Sequence, residues 1–466
     1  MKTIDAIGIL AYLAVIIVIG VTTMRRIKNP AYFAVGGNRI IWPVLLATLA
    51  ASFLGGGASL GRASESFSSG YSFMFAASAF PIQTILVGYF VAPRLKRYYG
   101  VETLGDIMQQ HYGRSARLLT GVISVVYCVG LLGTQALALG AIVNSVVGLP
   151  TWVGVIMGMM LVLLYSTAGG MWTTVQTDVV QFIMLGVFLP VALIIGVQAS
   201  GGPLELVSRL PEAHLSFGGD YTPLAFLGVF LAFGLGEMLI PPYAQRAFST
   251  PDETNARKGY VGAGVFGFFF YFVSASIGLV ALVLFPNIPA DQALPAVVRE
   301  ILPAGITGLV VAALLAVVMS SADSYLNSTS VVFAKDVYTS FINPAASERK
   351  VLLYERCTNV CVGVGATLFA LSVPSIVDAL MYSYSLWAPT VIIPLFLAVM
   401  FGLRARWAAT AAMLAGAVAT ALWTWVLAEP LGITGLMVGL VVNAGTFALV
   451  YLTVDRRASI PQEVSP

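Results

Sequence analysis

Apolar stretches long enough to cross a bilayer recur from one end of this chain to the other, and that repetition leaves it few possible folds. Spans read at about 5–24, 40–66, 71–93, 117–147, 150–169, 173–199, 223–246, 259–285, 304–333, 353–373, 376–402, 407–427 and 431–454, thirteen in all. Inside hydrocarbon every backbone N–H and C=O must find its partner within the protein, so repeated apolar segments of this length form helices. Composition agrees: 58% of the 466 residues are hydrophobic and only 10% are charged. The expected fold class is an all-α polytopic membrane protein, with 1–466 as one transmembrane domain. The longest loops, near 94–116, 200–222, 286–303 and 334–352, have room for short connecting helices and turns but not for a soluble domain.

Basic residues orient the spans. With the N-terminus outside, only Lys2, Arg62, Arg209 and Arg299 fall on the outer side, and the remaining Lys and Arg, from Arg25, Arg26 and Lys28 to Arg456 and Arg457, lie inside. Positive residues concentrate on the cytoplasmic side, so the expectation is a cell inner (plasma) membrane protein with a cytoplasmic C-terminus. The first span is too long for a signal-peptide core and lacks a small-residue cleavage site. The net charge of +3 resides in loops and leaves no nucleic-acid footprint; the lipid bilayer is the expected partner, and no obligate protein partner is visible. Cys128, Cys357 and Cys361 lie in apolar segments away from His111 and His214, so they read as small buried hydrophobes rather than metal ligands.

Two spans carry breaks. The second runs through Gly55-Gly56-Gly57 before Arg62 and Glu65; the seventh contains Gly234-Leu235-Gly236-Glu237 and then Pro241-Pro242. Three glycines or a proline pair weaken a helix wherever they fall. Setting the first span aside, these are the leading helices of two successive five-helix groups, 40–199 and 223–402, followed by two peripheral helices at 407–454. An odd helix count inverts the second group. Paired broken helices in corresponding positions of inverted repeats point to a transporter binding site, whereas one Gly-rich segment alone would signify only close packing.

The ninth span carries VVMSSADSYLNSTS at 317–330, an aspartate, an asparagine and six serines or threonines inside a membrane helix. At helical spacing Val317, Ser320, Ser321, Ser324 and Ser328 share a face, with Ser320, Asp323 and Asn327 alongside. Serines alone would serve as interhelical glue; with Asp323 the stripe reads as a cation pathway. Asp178, in the short polar run TTVQTD, is either an acid satisfying helix N–H groups or an ion-linked carboxylate. No Lys or Arg is expected at the depth of either acid.

These segments resemble the sodium/solute symporter family, which has a LeuT-like five-plus-five inverted-repeat core. Leu49-Ala50-Ala51-Ser52-Phe53-Leu54-Gly55-Gly56-Gly57 is similar to the family's first core helix, residues 174–181 to its fifth and 317–330 to its eighth. The GGG run, Tyr243-Ala244-Gln245-Arg246 and Ser320-Ser321-Ala322-Asp323 most resemble the high-affinity choline transporter branch. Where those proteins carry tryptophans expected to cradle a quaternary ammonium, this chain has Phe53 and Ile240, so choline itself does not follow. The resemblance implies a sodium ion held by the carbonyls of Ala51, Leu54 and Val317 and the hydroxyls of Ser320 and Ser321. It also implies a second cation, or a shared proton, at Asp178, Asp323 and Ser324.

Phe53, Gly55, Gly56, Gly57, Gly236 and Glu237 are the expected solute neighbours. Glu237 either pairs with an amine or satisfies N–H groups at the break, and Arg62 either attracts a carboxylate or forms an outer gate with Glu65 at i, i+3. In the eleventh span Tyr382, Tyr384 and Trp387 form an aromatic cluster that reads as packing. The resulting expectation is a sodium-coupled secondary symporter importing a small polar organic solute by alternating access, not an enzyme. The alternatives are proton coupling through Asp178 and Asp323, or a transporter-like membrane sensor. The sensor is disfavoured because only about a dozen residues follow the last span.

Overall fold

Every regular element among the described residues is a helix. The computed structural model describes residues 2–24, 37–98, 100–166 and 170–456. Of the basic residues used to orient the chain, Arg25, Arg26, Lys28 and Arg457 therefore lie outside the described residues. Among those described, 8 helices are long and apolar enough to cross a membrane, or 9 when one bent pair counts as a single span. Shorter apolar helices occur at Thr3–Ile19, Thr151–Leu164 and Pro223–Leu235. The anticipated loop helices form at Leu104–Tyr112, Pro203–Ser208 and Ala293–Glu300. The first carries a complete capping box, in which Thr103 and Asp106 each take the other's backbone N–H.

Burial separates a centre from a periphery. The most apolar window of the Ile306–Ile342 helix is 78% buried, against 28% for Met171–Ala199 and 17% for Gly435–Asp455. A helix enclosed on all sides can carry hydroxyls and acids without presenting them to lipid, which is why the polar stretch is tolerated. This helix also runs further than expected: it continues to Ile342 with π-type bonding, so the predicted loop at 334–352 is largely helix.

Close approach depends on missing side chains. A Cβ on Gly278 would strike the Ala63 carbonyl, and one on Gly416 would strike the Pro389 carbonyl. The Glu253–Leu284 helix thereby packs backbone-to-backbone on the second half of the first broken span, as membrane helices rich in small residues do. The cysteine expectation needs correction: Cys128 is buried, but Cys357 and Cys361 are exposed on the Glu348–Ser372 helix. An apolar segment that borders lipid has no need to bury its small residues.

Both breaks are present. The helices Trp42–Phe53 and Gly57–Ser69 meet at 67°. In the other, Pro223–Leu235 and Pro241–Phe248 are separated by residues 236–240, where Leu239 adopts φ +53° and Pro241 opens the next helix. Breaking a helix frees backbone groups that bilayer cannot satisfy, and neighbouring side chains take them. Gly56 N–H donates to Gln135 Oε1 at 2.8 Å, Tyr127 hydroxyl donates to the Gly236 carbonyl at 2.7 Å, and Trp387 Nε1 donates to the Met238 carbonyl at 2.8 Å.

Candidate functional site

The first break meets the polar stretch of the central helix at Ser321. Its hydroxyl donates to the Ser52 carbonyl at 2.7 Å and also lies 3.4 Å from the Ala51 carbonyl and 3.3 Å from that of Val317. A serine has one proton to donate, so three carbonyl oxygens converge where one donor is available. Unwound carbonyls and hydroxyls of this kind suit a hard monovalent cation without a fixed counter-charge. A Cβ on Gly55 would collide with Ser321 Oγ and Gln135 Oε1, so glycine is what lets the two helices meet here. Leu54 is fully buried at the end of the first half-helix, its N–H bonded to the Ala50 carbonyl at 3.1 Å. Ser320 turns the other way and donates to Asp178 Oδ1.

Asp178 anchors a second polar cluster, and here the structure corrects the sequence expectation. A basic residue does lie at its depth: Arg246 Nη2 donates to Asp178 Oδ2 at 3.0 Å, with both side chains buried. Arg246 also reaches Ser324 Oγ at 2.7 Å, Thr48 Oγ1 at 2.9 Å and the Pro242 carbonyl at 3.0 Å, while Thr48 donates to Asp178. The cause is the second break: Pro241–Phe248 is a short, wholly buried half-helix, so its basic residue points inward and not into a loop. Asp323 is held apart from this pair and accepts from Ser166.

The second break presents Glu237 to a narrow cavity that Phe53, Gly55, Gly57 and Arg62 also line. Its carboxylate accepts the Tyr243 hydroxyl at 2.6 Å and the Tyr384 hydroxyl on its other oxygen. Gly236 packs on Tyr384, and Gly56 faces Ala138 and Gln135. Phe53 stands edge-on to Phe80 and Tyr243, at 5.0 and 6.1 Å between ring centroids. The expected Arg62–Glu65 ion pair is not among the ion pairs of the described residues. Arg62 instead lays its guanidinium over Tyr271, 3.3 Å from the ring centroid, and faces Phe233 at 5.1 Å. Spacing at i, i+3 permits the pair, but Arg62 is buried towards the bundle interior, where ring faces meet its guanidinium, while Glu65 is only partly buried.

Residues 32–418 match the model of the sodium:solute symporter family. The chain belongs to that family. It is 28% identical over 425 residues to the human high affinity choline transporter 1, covering 85% of this chain and 72% of that one. It is 24% identical over 429 residues to the sodium/glucose cotransporter of Vibrio parahaemolyticus, covering 81% and 77%. The solved structure of a Na+-coupled sialic acid symporter in a substrate-bound outward-open state superposes with a TM-score of 0.81 at 18% identity, over 96% of this chain and 98% of that one; at that identity the likeness concerns the fold. As a sodium:solute symporter the chain is an integral membrane transporter, not an enzyme, and the family name implies sodium as the co-transported ion.

Several residues of this sodium:solute symporter escaped the sequence reading. Gln135 and Tyr127 sit singly in an apolar helix, and only the two breaks they serve reveal their use. Tyr384 belongs to the aromatic cluster read as packing, yet its hydroxyl is bound to Glu237, whereas Tyr382 is exposed. Ser52 adds a contact between hydroxyls with Ser324 at 2.9 Å, a polar link between the first broken helix and the central one.

Proposed function

We propose that this protein is a sodium-coupled secondary symporter that imports a small polar organic solute by alternating access. The observation that carries the reading is the convergence of the Ala51, Ser52 and Val317 carbonyls on the Ser321 hydroxyl at the first break. A sodium ion entering there would displace the serine proton from its bonds and take the Ala51 and Val317 carbonyls with the Ser321 and Ser320 hydroxyls, Leu54 lying beside them at the break. The paired breaks support a five-plus-five inverted-repeat core at 40–199 and 223–402, with thirteen spans, the N-terminus outside and the C-terminus cytoplasmic. Two half-helices facing one cavity support a solute site at the midplane.

At Asp178 and Ser324 the resident cation is the Arg246 guanidinium. A second sodium ion at Asp178 and Ser324 would have to take the place of the Arg246 guanidinium, whereas Asp323, which does not touch Arg246, keeps one buried oxygen open to a proton, so we assign one sodium ion to the present arrangement. The test is thermal unfolding of the purified protein in sodium and in potassium, followed by uptake into proteoliposomes under an imposed sodium gradient. Sodium raising the unfolding temperature in the parent but not in Ser321→Ala supports the site; equal behaviour in the two salts rejects it.

A further inference from the structure

We propose that Arg62 and Glu237 are the two poles of the solute subsite, and that the solute is a small zwitterion bearing a carboxylate and a cationic nitrogen. The inference rests on the transport reading above and narrows it to a substrate class. Both residues line the same cavity, Arg62 from beyond the first break and Glu237 from the second.

Arg62 is 1% exposed, and its Nε and Nη1 have no hydrogen-bond partner among the described residues. The rings of Tyr271 and Phe233 stabilise its charge through their faces, but a ring face leaves those two N–H donors without an acceptor oxygen. Buried guanidinium donors are rarely left this way, and a carboxylate is the group that fits them best.

Glu237 forms the opposite pole. Each of its oxygens takes one tyrosine hydroxyl, from Tyr243 and from Tyr384, and a carboxylate oxygen can accept two. Phe233 links the poles: it faces Arg62 at 5.1 Å and stands edge-on to Tyr384 at 5.5 Å. Among the described residues Arg62 and Glu237 do not pair with each other or with any other charged side chain.

Charge balance then selects the solute. Arg62 and Glu237 line one cavity and their charges sum to zero, so a simple cation would leave a net positive charge buried beside Arg62, and a simple anion a net negative charge beside Glu237. A sugar would offer hydroxyls to both poles and neutralise neither. A zwitterion supplies both partners and brings no net charge into a low-dielectric site. Tyrosine and phenylalanine rings beside Glu237 accommodate either an ammonium or a quaternary nitrogen, and the choice of probes separates these two.

The experiment measures binding to the purified full-length protein by thermal shift and competition, in sodium and in potassium. The panel comprises L-alanine, γ-aminobutyrate and glycine betaine as zwitterions, choline as cation, propionate as anion, and glucose and inositol as neutral solutes. At least one zwitterion is expected to bind tenfold or more tightly than every other class. Arg62→Gln should weaken that zwitterion at least tenfold while leaving its methyl ester unaffected. Glu237→Gln should weaken the zwitterion but not its uncharged-nitrogen analogue, and Arg62→Lys should restore part of the loss. Stabilisation by sodium alone reports whether each variant is folded.

A neutral or singly charged solute binding as tightly as every zwitterion overturns the proposal, as does an Arg62→Gln effect shared equally by acid and ester. So does intact sodium stabilisation with no zwitterion bound. Zwitterion binding of equal strength in sodium and potassium supports the subsite and instead removes the sodium-coupling reading.

Discussion

Arg246 and Asp178 form a buried ion pair, Nη2 to Oδ2 at 3.0 Å, that joins the second broken span to the helix Met171–Ala199. Asp178, which the sequence left open between a helix-terminus acid and an ion-linked carboxylate, thus already holds a tethered cation. Breaking such a pair from one side leaves an uncompensated charge in the interior, at a cost of about 3–5 kcal/mol. Asp178→Asn and Arg246→Gln are each expected to lower stability by that order, and the double variant by clearly less than their sum. Thermal unfolding in detergent completes the cycle; strict additivity would mean that the two do not act as a pair.

Ser321 and Ser320 separate by role. Ser321→Ala removes the hydroxyl on which the carbonyls converge, and Ser320→Ala removes a donor to Asp178 as well as the proposed ligand. Losing one hydroxyl ligand of about 1–2 kcal/mol corresponds to a sodium half-saturation concentration raised roughly five- to thirtyfold. Sodium titration of uptake should show that increase in both, with Ser320→Ala also less stable in the absence of sodium. Unchanged sodium dependence in the two variants would move the ion elsewhere.

Gln135→Leu and Tyr127→Phe test the satisfaction of the breaks. Each leaves a backbone group without its partner, Gly56 N–H in the first case and the Gly236 carbonyl in the second. The expected loss is about 1–3 kcal/mol apiece, read as a lower unfolding temperature. Stability equal to the parent in both would show that solvent or other groups replace the bonds at no cost.

His111 gives a pH dependence outside the spans. Its Nδ1 lies 3.0 Å from the Leu403 carbonyl and its Nε2 2.9 Å from the Tyr98 hydroxyl, a pattern that fits the neutral ring with the proton on Nδ1. Burial, aided by the nearby positive charge of Arg404, holds its pKa below the ordinary 6.5. The unfolded chain therefore takes up this proton first as pH falls, and its contribution to stability declines from about 6.5 downward. Unfolding temperatures measured between pH 7.5 and 5 should fall less steeply for His111→Gln; parallel curves would assign the acid sensitivity to other groups.

The fold class was legible because bilayer helices announce themselves by length and hydropathy, and the breaks because glycine triplets and proline pairs have no quiet place in a span. Ser320 and Ser321 were legible as hydroxyls repeated along one enclosed helix. Arg246 was not, because a basic residue after a proline pair reads as a loop end; the depth of a half-helix follows from tertiary packing, which hydropathy does not record. Arg62 was misdirected for a related reason. Its neighbour at i, i+3 is visible along the chain, whereas the rings of Phe233 and Tyr271 come from distant spans.

The helix Arg114–Val147 supports both breaks at once, Gln135 at one and Tyr127 at the other. Eight residues at about 1.5 Å each set these props about 12 Å apart along one rigid rod. The Gly56 N–H and the Gly236 carbonyl thus hang on one stiff beam, and a displacement of either break relative to it costs a buried hydrogen bond. Under the alternating-access reading proposed above, that common beam is expected to make the two breaks turn in step, and Gln135→Leu or Tyr127→Phe to uncouple them, seen as ion leak without solute.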